Sequence, residues 1–198
     1  SQYNLFLDDA SLIADSVNFI VTNDTGRLIR YASSSPVLYP VGIRSDSYTP
    51  VTVTNSGNAA NVKVRVMESV TGNVPETEGN VNRTWLIGDT LQAGLNLSLQ
   101  MRWNETDEQA NFDRSRCYVS KFSPCVVNCS GGYFDAFPAN ASQGNTYHTI
   151  ERSNIENFGY PSFIVTSKPF VYTFNGNGNW EDAANWLNGE IAPVTIPD

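Results

Sequence analysis

Positive charge is scarce in this sequence. Lysine and arginine together number 12 against 20 acidic residues, for a net charge of −8 and a pI near 4.6. An acidic surface repels phosphate backbones and anionic headgroups, so neither nucleic acid nor a polybasic membrane mode is expected. Charge of either sign is thin as well: 16% of residues, where about a quarter is usual. No stretch approaches the roughly 20 apolar residues of a membrane-spanning helix, so no membrane insertion is expected. The opening SQYNLFLDDASLIADS has neither the basic start nor the apolar centre of a signal peptide. If the protein is exported, that signal is expected to have been removed or to lie upstream.

Histidine and cysteine are nearly absent. His148, in QGNTYHTIE, is the sole imidazole and is read as a surface residue of a strand or loop. Without a second imidazole or a nucleophile motif there is no basis for cysteine, serine or zinc chemistry. Paired carboxylates for glycoside hydrolysis have no local motif either, so no enzymatic activity is expected. The three cysteines, Cys117, Cys125 and Cys129, form at most one intrachain bridge. A hairpin turning near Ser123-Pro124 would set Cys117 opposite the region of Cys129, which makes that the preferred pair. Cys125 with Cys129, and three reduced thiols, are the alternatives.

What the chain does have is uncharged polarity and β-patterning. Asn, Ser and Thr number 22, 19 and 15, and hydrophobic residues make up 40%, too much core material for a disordered chain. In LNLSLQMRWN, residues 95–104, every second side chain is apolar, the signature of a strand with one buried face. NVKVRVMESV (61–70) repeats it, and PVTVTN (50–55), VNRTWLIG (81–88), RCYVSKF (116–122), VVNCSGGYFD (126–135), YHTI (147–150) and SFIVTS (162–167) continue the series. Strands every ten to fifteen residues with Gly, Asn and Pro between them predict an all-β fold, an antiparallel sandwich of immunoglobulin-like or jelly-roll-like type. Only 181–187 is marked as a short helical turn. Trp85 and Trp103 alternate inward and are assigned to the core.

The ends read differently. Residues 1–40 carry short apolar bursts (LFL, LIA, FIV, LIR, VLYPV) that fit either rungs of a β-solenoid or a strand pair of the sandwich. Residues 41–174 form the expected sandwich. Residues 175–198, opening with NGNGNWEDAANW, read as a linker entering a truncated Trp-containing repeat.

Two clusters are candidate sites. NETDEQANFD (104–113) places Glu105, Asp107, Glu108 and Asp113 in one loop. With no D-x-D-x-D-G run a solvated acidic loop is the preferred reading, and Ca²⁺, the single cofactor such oxygen donors would take, is the alternative. Tyr133, Phe134, Phe137, Tyr147 and Tyr160 are candidates for a ring platform on which a sugar could stack; core packing is the competing assignment.

Taken in order, VTNDTGRL (21–28), YPVG (39–42), YTPVTVTNSG (48–57), VNRTW, LSLQMRWN and NGNGNWEDAANW resemble the C-terminal region of large secreted Bacteroidetes surface proteins. There a β-solenoid closes, a sandwich follows, and a Trp-containing repeat precedes a type IX secretion signal. The cysteine-bearing PCVVNCSGG departs from that pattern. The resemblance implies an extracellular or cell-surface setting and a non-catalytic adhesin or structural module. Its partners would be neighbouring domains of the same polypeptide, and glycans or host-surface proteins. A carbohydrate-binding module attached to a polysaccharide-degrading enzyme is the alternative. Asp15-Ser16-Val17 and Asp89-Thr90-Leu91 also resemble bacterial O-glycan attachment sites.

Overall fold

A computed structural model of the chain describes residues 4–7, 13–22, 25–69, 79–89, 94–124, 132–134, 141–142, 147–158, 162–167, 174 and 176–186. Among these described residues fifteen strands follow in order: β1 (Asn4–Leu7), β2 (Ile20–Val21), β3 (Arg27–Ala32), β4 (Val37–Tyr39), β5 (Val41–Arg44), β6 (Ser47–Tyr48), β7 (Val51–Asn55) and β8 (Ala60–Glu68). They continue with β9 (Arg83–Asp89), β10 (Leu97–Asn104), β11 (Cys117–Pro124), β12 (Gly132–Phe134), β13 (Ala141–Ser142), β14 (Tyr147–Ile155) and β15 (Ser162–Ser167). The fold is all-β, as the alternation predicts. It is a sandwich that does not close as a barrel.

The larger sheet runs β1-β3-β8-β9-β15-β11-β12, the second β13-β14-β10-β7-β4, and a three-stranded sheet runs β2-β5-β6. β3 lies against β4 and β11 against β14, so the two large sheets face each other; β5 lies against β8. Strand periodicity dictates what fills the space between. In β10 Leu97, Leu99, Met101 and Trp103 are all buried, while Gln100 is exposed. Val51 and Val53 of β7, Val62, Val64 and Val66 of β8, and Trp85 and Ile87 of β9 close the same core. Each such side chain contributes about 1.5–3 kcal/mol by leaving water.

The antiparallel expectation holds for most pairs, with two exceptions at the N-terminal end. There β1 pairs with β3, and β2 with β5, in parallel. β3 and β4 belong to the two facing sheets, so both sides of position 40 supply sandwich strands. The hairpin β11–β12 also differs from expectation. Phe122 lies opposite Phe134 and Pro124 opposite Gly132, which moves the connection to 125–131, at the far end of β11 from Cys117.

The C-terminal turn is ordered locally. Asn185 accepts from the Gly176 amide (3.1 Å) and donates its side-chain amide to the Asn179 carbonyl (2.8 Å). A Cβ at Gly176 or Gly178 would strike the Asn185 side chain, which explains glycine at both positions. The helical turn expected here is 3₁₀, Ala183–Asn185, but it is not alone: Glu105–Asp107 and Arg114–Arg116 form two more 3₁₀ turns, at the start of the acidic run and just beyond its end. Phe174 meets Trp186 edge-on at 5.2 Å.

Candidate functional site

The two parallel pairings share a spacing. Asn4 lies opposite Arg27, a separation of 23 residues, and Ile20 opposite Val41, a separation of 21. Parallel neighbours require the chain to complete a circuit before returning. β1 and β2 thus precede β3 and β5 in the same order along two parallel ladders. On their far sides β3 and β5 are covered by antiparallel strands, β8 against β3 and β6 against β5. β1 and β2 have no such cover among the described residues: they are the outermost strands of their sheets. Their inward side chains, Leu7 and Ile20, pack on the core, while Leu5, Phe6 and Val21 are about half exposed, and Ile13 and Val17 are more so. Phe19 holds the intervening segment by packing on Tyr48, 5.0 Å between ring centres. An edge that reads Asn-Leu-Phe-Leu has none of the lysines or prolines that normally blunt a free strand.

The acidic loop is built quite differently from a cation site. Asp107 is buried and forms an ion pair with buried Arg83, 2.5 Å between Nη2 and Oδ1. Its other oxygen accepts from the Asn104 backbone (3.1 Å) and side-chain amide (3.2 Å). Glu108 accepts from the Trp103 indole (2.8 Å) and from Arg114 Nε (2.8 Å). Arg114 also binds Glu105 at 2.6 Å, which holds that carboxyl below its usual range. Asp113 accepts from the Ser115 amide and hydroxyl. The four carboxylates gathered in sequence are thus satisfied by N–H and O–H donors. No group of three or more His, Cys, Asp or Glu is arranged to hold a metal among the described residues; the solvated-loop reading fits Glu105 but not Asp107 and Glu108, which are buried or nearly so against arginine.

Compared with known family models, curated proteins and solved structures, the chain has no match.

The other candidate residues divide between the two sheets or fall outside the description. Tyr133 and Phe134 lie on β12 of the larger sheet, Tyr147 on β14 of the second, and Phe137 and Tyr160 outside the described residues. Tyr147 is partly exposed, but Arg102 stacks 3.6 Å from its ring centre and also lies 5.0 Å from that of Tyr48. One face of that ring is therefore already occupied by a guanidinium. Cys117 corrects the disulfide assignment. It is a buried free thiol that donates to the Arg114 carbonyl, because the hairpin turns at the other end of its strand. Burial pushes it up to about 12, so it stays protonated and unreactive. Cys125 and Cys129 lie outside the described residues.

His148 is a second correction, since it is buried rather than superficial. Its ring packs 5.7 Å from Trp103, and Nε2 lies 3.9 Å from Glu108. Burial lowers its pKa from the ordinary 6.5, helped by nearby Arg114 and opposed by Glu108 and Glu105. The unfolded chain then binds a proton that the folded chain resists. The stability His148 contributes is full above about pH 6.5 and is lost as pH falls below it. Thermal unfolding between about pH 7 and 5.5 should show a falling Tm that flattens in His148→Gln. An equal slope in both proteins would refute the assignment.

The signal for His148 was present in the pattern. His148, Ile150 and Arg152 share one parity of β14 and all are buried, with Arg152 donating across the sandwich to the Val119 carbonyl at 3.0 Å.

Proposed function

We propose that this chain is a non-catalytic β-sandwich module of a large exported cell-surface polypeptide, adhesin or structural. In that role the sandwich terminates a parallel β-coil and spaces or displays its neighbours. The observation that carries this reading is the pair of parallel registers at 23 and 21 residues, with no strand covering the apolar outer edge of β1 and β2 among the described residues. A third turn of the same polypeptide, adding in parallel to β1 and β2, would cover Leu5, Phe6 and Val21. An acidic background with Asn, Ser and Thr supplying most of the polarity supports an extracellular setting, as does the resemblance to secreted surface proteins. The absence of enzymatic activity is supported by the pairing of the acidic-loop carboxylates and by the burial of His148 and Cys117.

Hydrogen exchange tests the coil. Amides of β1 and β2 should exchange fast in this chain alone, as free edges do. They should become protected in the full-length product of the gene, while β10 remains protected in both. Equal exchange at β1 and β2 in the two proteins would rule out a covering turn. Protease shaving of intact source cells, followed with an antibody to this domain, tests export in parallel. Loss of signal from unbroken cells is expected, and retention until lysis would reject the surface setting.

A further inference from the structure

We propose that a crevice at one end of the sandwich, separate from the coil edge, is a binding site for a neutral, hydroxyl-rich ligand, a glycan. It measures about 390 Å³ and lies where three connections converge: Ser56 and Gly57 after β7, Gly94 to Asn96 before β10, and Glu156 to Phe158 after β14. Its apolar floor is Leu95 and Phe158, both buried. Its rim offers the Ser56 hydroxyl, the Asn96 and Asn157 amides and the Glu156 carboxylate, a mixture of donors and acceptors above an apolar base that suits a sugar.

The walls are held in place before any ligand arrives. Buried Asn55 acts as a hub: its Oδ1 accepts from the amides of Gly57 (3.0 Å) and Asn96 (3.3 Å), and its Nδ2 donates to the Asn58 carbonyl (2.7 Å). Backbone bonds from Ser56 to Asn96 and from Asn58 to Gly94, both 2.9 Å, join the first two connections. Gly57 packs so closely on Gly94 that a Cβ would strike its carbonyl. On the third connection Lys121 Nζ donates to the carbonyls of Glu156 (2.5 Å) and Asn157 (2.6 Å), and Asn157 is held at a φ of 60°. Asn96 donates to Glu156 Oε1 at 3.3 Å, linking two walls across the opening. Such rigidity lowers the ordering cost of binding.

Charge selects the ligand class. The Glu156 and Asn157 carbonyls, the oxygens a cation would need, already accept from the Lys121 ammonium. An anion would meet the Glu156 carboxylate on a chain of net charge −8. Neutral hydroxyls face neither penalty, and a carboxylate accepts strongly from hydroxyl donors.

Amide NMR spectra of the full chain, titrated with cellohexaose, mannohexaose and galactohexaose to about 10 mM, read interactions as weak as millimolar. Saturable shifts at the amides of Gly57, Gly94 and Asn157 are expected for at least one of the three. Asn157→Gly keeps the left-handed backbone that glycine accepts readily, and combining it with Glu156→Gln should weaken that binding about tenfold with Tm unchanged. Adding hexagalacturonate instead should shift these amides less. Silence at these amides for all three probes, shifts confined to another surface, or undiminished binding by the double variant would each overturn the proposal. None of those outcomes bears on the coil edge, which hydrogen exchange reads separately.

Discussion

Replacing Asp107 with asparagine is expected to destabilise the protein by about 3–5 kcal/mol, because it leaves a buried guanidinium without its counter-charge. Arg83 and Asp107 are each only 3% exposed as side chains, with Nη2 and Oδ1 2.5 Å apart. The same guanidinium donates to the Asn82 carbonyl and, at 3.1 Å, to the Ser47 hydroxyl. One cation therefore ties β9 of the larger sheet to β6 of the small sheet and to the turn that follows β10. Asp107 reinforces that junction through its own carbonyl, which accepts from the Asn82 amide at 2.7 Å. In a chain of this size the loss should lower Tm by about 10 °C. Removing both charges together, as Arg83→Met with Asp107→Leu, should recover most of it, since the cost lies in the orphaned charge rather than in the absent bond. A fall of less than about 1 kcal/mol in Asp107→Asn would show that water reaches Arg83. The exposed Arg44 pairs with Asp46 and Glu68 make the contrast: their removal should change stability little, because solvent screens them.

Half of that ion pair was legible in the chain itself. In VNRTWLIG, Arg83 shares a parity with Trp85 and Ile87, and all three are buried. A charged residue on the core-facing parity of a strand announces a buried partner. Which residue answers it is set by the turn after β10, and no local pattern encodes that. The same holds for His148, whose parity with Ile150 placed it inside. Long alternations such as β8 and β10 were legible because nine and eight residues repeat the period several times. β2, with two residues, carries no period at all, and its parallel partner lies 21 positions away. The parallel pairings were therefore visible only as apolar bursts, and the change to antiparallel strands beyond them not at all. The acidic run looked like a cation loop because sequence shows the carboxylates adjacent to one another. It does not show Arg83 arriving from β9, or Arg114 folding back from six residues beyond Glu108. The crevice beside Asn55 was hidden for the same reason: its three walls are 40 and then 60 residues apart along the chain, as the contacts Ser56–Asn96 and Asn96–Glu156 show.

Trp85→Ala should cost about 3–5 kcal/mol, the loss typical of a large aromatic removed from a packed interior. Trp85 sits on β9 between Val66 of β8 and Phe163 of β15, fully buried. Its indole N–H donates to the Thr49 carbonyl at 3.1 Å, tying the strand to the chain segment that enters β7. Two effects add in the alanine variant: apolar area is lost, and a cavity remains because neighbours on both sides are fixed in the sheet. Trp85→Phe separates them from the hydrogen bond. It keeps most of the ring but orphans the Thr49 carbonyl, so a residual cost of about 1–3 kcal/mol is expected. Urea unfolding should report both as shifts of midpoint at constant m-value, since the exposed area of the unfolded chain barely changes. Trp180→Ala is the informative companion. Trp180 is about half exposed and its carbonyl accepts from the Trp186 indole of the same turn at 2.5 Å. Its removal should leave the sandwich transition in place. If Trp180→Ala instead shifted that transition as far as Trp85→Ala, the C-terminal turn would be part of the sandwich's cooperative unit rather than a separately ordered segment beyond it.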